Sequence, residues 1–342
     1  MPNLNVSQTL ACTIAAGIAL TPTLIGYAAG SDAIFAPGAE LKELFNGAHF
    51  TEGVSVAPDG TVYFSDITFT DQTDMKAGNI WKHNPETGET TIFRSPSGMS
   101  NGTKFDAQGR LVVAEGADFG GRRITRTDME TGKSEIIAGL YNGKPFNSPN
   151  DLSIDEQGRI YFTDPRYAGH EPVEQPIFGV YRIDTDGTVH LVVTDAGKPN
   201  GVAVSPDQNT LYVISHDNGA MGSFPEEVPM RKGNMALLAY DLSSDGTATF
   251  RKTLVDFAPE DGPDGMVVDA EGNLYVAVRD ETQKGVHVYT SEGEELAYVE
   301  TPDKPTNVAF GRGTTSKTLY ITAENCLYSI QTTKEGYHLP QK

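Results

Sequence analysis

Glu52, Asn101, Asn150, Asn200, Asp264 and Thr306 hold the same slot in a pattern that returns six times along the chain. Two carboxylates, three amides and a hydroxyl offer only oxygen donors when the amides turn their carbonyls inward. Such sets suit hard cations: Ca²⁺ takes about 6–8 oxygens, waters included, whereas Mg²⁺ demands a tighter octahedron. Glu52 and Asp264 together would neutralise a divalent ion; facing each other without one in a confined channel, one of them would have a raised pKa. An Asn or Asp after Pro is ordinarily a turn residue bonded to its own backbone. Turn chemistry does not account for Glu52, a poor turn former, in the first slot. Asn101 and Thr306 are the weakest members, because an ion at the rim of a channel does not touch all six.

The elements that must position these residues are legible in the copies themselves: TEGVSVAPDGTVYFSD from Thr51, SNGTKFDAQGRLVVAE from Ser100, PNDLSIDEQGRIYFTD from Pro149, PNGVAVSPDQNTLYVIS from Pro199, PDGMVVDAEGNLYVAV from Pro263 and PTNVAFGRGTTSKTLYITA from Pro305. Apolar residues alternate with period two, as in Val54 and Val56 and then Val62 and Phe64, so each copy holds two strands joined by a tight turn. Further strand signals, such as NIWKHN from Asn79 and TTIFRS from Thr90, lie between copies and bring each repeat to four strands. Spacings of 49, 49, 50, 64 and 42 residues lie in or near the range of propeller blades. The expected fold is all-β: a six-bladed β-propeller of four-stranded blades. The last repeat supplies only three strands, so the N-terminal strand Leu41–Phe45 is expected to close the final blade and cover its open edge. In a propeller the first strand of each blade lines the central channel, which turns six distant residues into one ring.

Composition agrees with one enzyme-sized domain over residues 40–335. A formal charge of −20 and a pI near 4.7 repel phosphate backbones, and no basic stripe interrupts them, so nucleic acid is excluded as a partner. Two cysteines, Cys12 and Cys326, make neither a disulfide framework nor a thiolate metal site; Cys326 reads as a small buried apolar residue. The seven histidines show no pairing at metal-ligand spacing, and no GxSxG elbow, HExxH or phosphate loop occurs. Residues 1–30 read as a signal peptide or a disordered N-terminal extension. The small residues Gly26, Ala28 and Ala29 suit cleavage, a basic n-region is missing, and Thr21, Pro22 and Thr23 interrupt the apolar run that a stable membrane span needs. The expected location is periplasmic or secreted, with the cytoplasm as the alternative.

From about Leu41 to Ile330 the motifs SNGTKFDAQGRLVVAE followed by GRRITR, then NSPNDLSIDEQGRIYFTDPRY, KPNGVAVSPDQNTLYV and GPDGMVVDAEGNLYVA resemble, in order, the gluconolactonase and regucalcin (senescence marker protein) family, and more distantly the diisopropyl-fluorophosphatase and paraoxonase propellers. The resemblance implies a six-bladed propeller with a divalent ion, commonly Ca²⁺, at the bottom of a central pocket, and hydrolysis of lactones or related esters. By motif, the family's metal ligands fall on Glu52, Asn150, Asn200 and Asp264. The sequence departs from regucalcin-like members where an arginine helps hold substrate: Ser148 stands there.

Asp264 is the first candidate for the general base, since a carboxylate at the ion can orient or deprotonate water. Asn101, Arg166, Tyr167 and His216 are expected to contact substrate, and Asp217 and His170 lie in similar loops. The long segment from Ile214 to Asn234 accounts for the 64-residue spacing and reads as a lid or a surface excursion. A phosphotriesterase-like or other ester hydrolase, and a non-catalytic binding module with a structural ion, share the same residues and stay open. So do the preferred ion (Ca²⁺, Mg²⁺, Mn²⁺ or Zn²⁺) and the oligomeric state.

Overall fold

Asp-containing turns define the inner hairpins. Asp106 Oδ1 accepts the N–H groups of Gln108 and Arg110 at 3.0 and 2.9 Å, and Asp155 and Asp269 do the same for Gln157/Arg159 and Glu271/Asn273. Each carboxylate satisfies turn donors that the ladder leaves over. In a computed structural model, which describes residues 33–70, 72–74, 78–217, 233–260 and 262–340, these hairpins build six four-stranded antiparallel sheets. The first blade runs Thr51–Val56, Val62–Asp66, Asn79–His83 and Thr90–Arg94 from the axis outward. The inner strands of the others are Ser100–Phe105, Leu152–Ile154, Pro199–Val204, Pro263–Val268 and Pro305–Phe310.

Burial follows the period-two pattern: Val54, Val62 and Phe64 are fully shielded and Val56 nearly so. Apolar clusters bridge neighbouring blades, as where Val112, Phe146 and Leu152 pack with Phe162 and Tyr181. The sixth blade is completed from the other end of the chain, as expected: Lys42–Phe45 pairs antiparallel with Cys326–Gln331. Phe35, 1% exposed, bridges to Thr332 beside it. Cys326 is buried in that sheet.

Close contact between inner strands sets the width of the channel. Gly53, at φ +47°, sits where a Cβ would stand 1.9 Å from the Asn101 carbonyl oxygen. The Gly102 N–H donates to the Asn150 carbonyl at 2.6 Å. No side chain fits at Gly53 without a shift of backbone, so the residue after the register position draws the next blade's register residue alongside. The opposite end of the channel is floored by the C-terminal segment, where Asp269 bridges to Gly336 and the Tyr337 N–H donates to the Val268 carbonyl.

No helix among the described residues is long and apolar enough to cross a membrane. Residues 1–30, and residues 218–232 of the Ile214–Asn234 segment, lie outside the described residues.

Candidate active site

Where the inner strands begin, a cavity of about 340 Å³ opens at the axis. Glu52, Asn101, Asn150, Asn200 and Asp264 all line it, one from each of five blades, and each is 4–7% exposed. The sixth register residue does not. The Thr306 hydroxyl is taken up by the Thr51 carbonyl at 2.8 Å and the side chain is fully buried, so it joins the first and last blades instead of facing the channel.

Burial governs the electrostatics of this ring. It pushes the Glu52 carboxyl well above its usual range, with the nearby Asp264 charge adding to the shift and Arg279 opposing it. It pushes Asp264 up to about 6, against the Arg279 guanidinium and a hydrogen bond from Asn200. A carboxylate removed from water holds its proton more tightly unless a positive charge replaces the lost hydration. Beneath the ring, Asp151 is also raised by burial, and its charge acts on both Glu52 and Asp264.

The Asn200 amide lies close enough to Asp264 and to Tyr167 to favour the ionised form of each. Asn101 Oδ1 is buried with no hydrogen-bond partner, a costly state for an acceptor unless something binds it. Among the described residues no three His, Cys, Asp or Glu side chains gather as a metal cluster. The donors at hand are instead two carboxylates and amide oxygens, a set that fits a hard cation and not a soft one.

Tyr167 and His216 line the cavity, with ring centroids 5.8 Å apart. Lys198 lies 4.4 Å from the Tyr167 ring centroid and 3.5 Å from Asp217, fixing this wall from behind. Ser148, in the slot where regucalcin-like members carry arginine, lines the cavity and accepts the Ala117 N–H. Arg166 is placed elsewhere. It is 1% exposed, does not line the cavity, and donates through Nη1 and Nη2 to the carbonyls of Glu171 and Asn147 at 2.7 and 2.8 Å, while its Nε has no partner. His170 is half exposed outside the cavity, 3.4 Å from Asp118.

Sequence reasoning missed a second ring. The residue directly after the second strand of a blade also faces the cavity in five blades: Ile67, Gly116, His216, Arg279 and Glu324. In the third blade that slot is Asp164, which lies beneath, accepts the Asn147 and Ser148 N–H groups at 2.8 and 2.7 Å, and is pushed up to about 7 by burial. The register that revealed the first ring applies equally at this position, and His216 was the only member it had supplied. Arg279 is the most consequential: its Nη1 stands 3.4 Å from Asp264 Oδ2 and its Nη2 3.7 Å from Glu324. An apolar wall of Phe50, Ile67, Phe69 and Met99 completes the cavity.

Residues 50–325 match the family model described as SMP-30/Gluconolactonase/LRE-like region. The chain belongs to that family. It is similar to a gluconolactonase of Zymomonas mobilis, 31% identical over 81% of this chain and 79% of the relative, and to the pentonolactonase XacC of Haloferax volcanii, 27% identical over 77% and 80%. Among solved structures it resembles a gluconolactonase of Xanthomonas campestris, with a TM-score of 0.73 at 28% identity, covering 90% of this chain and 94% of that one. A calcium-binding protein, regucalcin, of Agrobacterium tumefaciens shares the fold at TM-score 0.66 and 19% identity, over 87% and 95%. In this chain the cavity brings polar side chains from five blades together.

Proposed function

We propose that the protein is a hydrolase of carboxylic ester bonds that opens a lactone ring, a sugar lactone such as gluconolactone first, and that it works with a divalent cation, Ca²⁺ by preference, held by Glu52, Asn150, Asn200 and Asp264. The convergence of these four and Asn101 in one buried cavity carries the reading, and the gluconolactonase and pentonolactonase relatives support its substrate class. A cation bound there would supply Lewis-acid polarisation of the lactone carbonyl.

The chain's own residues do the rest. Asp264, a buried carboxylate at the axis of the cavity, accepts a proton from the attacking water as the new carbon–oxygen bond forms. The ring carbon–oxygen bond then breaks and the departing alkoxide takes a proton back, leaving a hydroxy acid. Asn101 and the Tyr167–His216 wall orient the ring, and the enclosed walls keep bulk water from competing. A second reading, an ester with a bulky apolar group, is favoured by the wall of Phe50, Ile67, Phe69 and Met99.

The test is proton release from δ-gluconolactone at near-neutral pH, with the spontaneous rate subtracted, before chelation, after it, and after Ca²⁺ is restored. Loss and recovery of the rate are expected. A rate indifferent to chelation would remove the cation from the reading, and no rate in any state would remove the sugar lactone in favour of an apolar ester.

A further inference from the structure

The same channel has a second cavity at its other end. It has a volume of about 100 Å³ and shares no lining residue with the upper one. Its walls are the far halves of the inner strands, including Ser55, Lys104, Ser153 and Ala203, together with Arg312, and its floor is Tyr337, His338 and Leu339. Lys104 stands three residues beyond Asn101, in the slot that Ser55 holds after Glu52 and Ser153 after Asn150. One of the six inner strands therefore places an ammonium group inside the propeller.

Lys104 and Arg312 are both partly buried here. Among the described residues the Lys104 ammonium has no hydrogen bond and no ion pair, and the carboxylate its charge acts on is Asp151, one layer above. Arg312 donates through Nε to the Val56 carbonyl at 3.0 Å, and no carboxylate offsets the burial that lowers its pKa. His338 adds no counter-charge. Its Nε2 is 2.9 Å from the Gly311 carbonyl, and burial together with both cations pushes it down to about 4, so the ring is neutral. Ser153 Oγ accepts the Val204 N–H, which leaves its own O–H to donate. Arg312, with no carboxylate partner, and Lys104, whose only carboxylate partner is Asp151 one layer above, thus both line a small cavity inside a chain whose formal charge is −20. A desolvated guanidinium without a counter-charge is costly, and the cavity is several times larger than one water needs.

We propose that this lower cavity is an anion site, which takes a small oxyanion of phosphate or carboxylate type between Lys104 and Arg312. The anion would tie the second and sixth blades to each other and to the C-terminal floor, independently of the reaction above.

The experiment is thermal unfolding of the full chain, freed of divalent cations, at constant ionic strength with millimolar phosphate in one series and formate in another. Phosphate is expected to raise Tm by about 2 °C per tenfold increase above half-saturation. Lys104→Met should abolish that dependence, and Arg312→Gln should weaken it. A response to phosphate but not formate would assign the site to a tetrahedral anion, and equal responses to a carboxylate-sized one. No dependence in the parent chain, or the same slope in Lys104→Met, would overturn the proposal. If Lys104→Met does not fold, a bromide-soaked crystal decides: an anomalous peak between Lys104 and Arg312 supports the site, and its absence refutes it.

Discussion

At the upper end of the channel Glu52 and Asp264 stand among amides, with Arg279 as their cation partner. At the lower end Lys104 and Arg312 stand among serines and aliphatic side chains, over a floor made by the end of the chain. Both ends are built from the same strands, so backbone geometry does not distinguish them. What differs is which side chains the repeat turns into the channel: carboxylates and amides above, cations below. One scaffold can therefore present opposite charge at two depths, because a strand crossing the channel shows a different residue at each level while its hydrogen-bonded ladder stays the same.

The sharpest way to break the comparison is to remove charge from the upper end alone. Glu52→Gln and Asp264→Asn keep the shape and lose one carboxylate each. Lactone hydrolysis is expected to fall by about 10²–10³-fold in kcat/KM, the usual scale for losing a well-placed electrostatic contact, while Tm holds or rises, since both groups are buried acids. Equal activity in either variant would separate the ring from the chemistry.

Asp164 tests how the upper end is held in place. Its carboxyl is pushed up to about 7 by burial, so the folded chain holds this proton more tightly than the unfolded one. That stabilisation is fully present below the ordinary carboxylate pKa near 4 and is lost as pH rises through about 7. Asp164→Asn can accept only one of the two N–H groups that Asn147 and Ser148 present. At pH 5 it should lie about 1–3 kcal/mol below the parent. The gap should narrow toward pH 8, as read by denaturant unfolding at each pH. A constant gap would show that Asp164 does not titrate in this range.

The smallest effect belongs to the floor. The Tyr337 hydroxyl donates to Glu156 at 2.7 Å and accepts from Gln208 at 3.1 Å, both near the surface. Tyr337→Phe should lower stability by about 1 kcal/mol or less and leave lactone turnover unchanged. A large fall in turnover would mean that the two ends communicate.

Much of the fold was legible because a propeller repeats itself. Six copies with period-two alternation and turn residues at fixed offsets impose hairpins, and the missing strand of the last repeat calls for Leu41–Phe45, which the paired strand Lys42–Phe45 supplies. The register also picked out five residues that meet in the cavity, because equal positions in a closed ring lie at equal height. It went wrong where side-chain direction broke the pattern. Thr306 holds the slot but bonds to the neighbouring strand; Arg166, chosen from its loop and not from the register, lies buried outside the cavity lining with its Nη groups on backbone carbonyls.

By itself, then, the sequence determined the number of blades, the route of closure and the oxygen-rich ring, since each follows from local periodicity repeated around an axis. The tertiary structure alone decided that Arg279 faces Asp264, that Asp151 lies beneath both carboxylates and that the end of the chain floors a basic cavity. Those are distances between segments far apart in the chain, and no local pattern encodes them. They depend on how closely the inner strands approach, which glycines such as Gly53 permit, and on which side chains remain in the channel once the blades have closed.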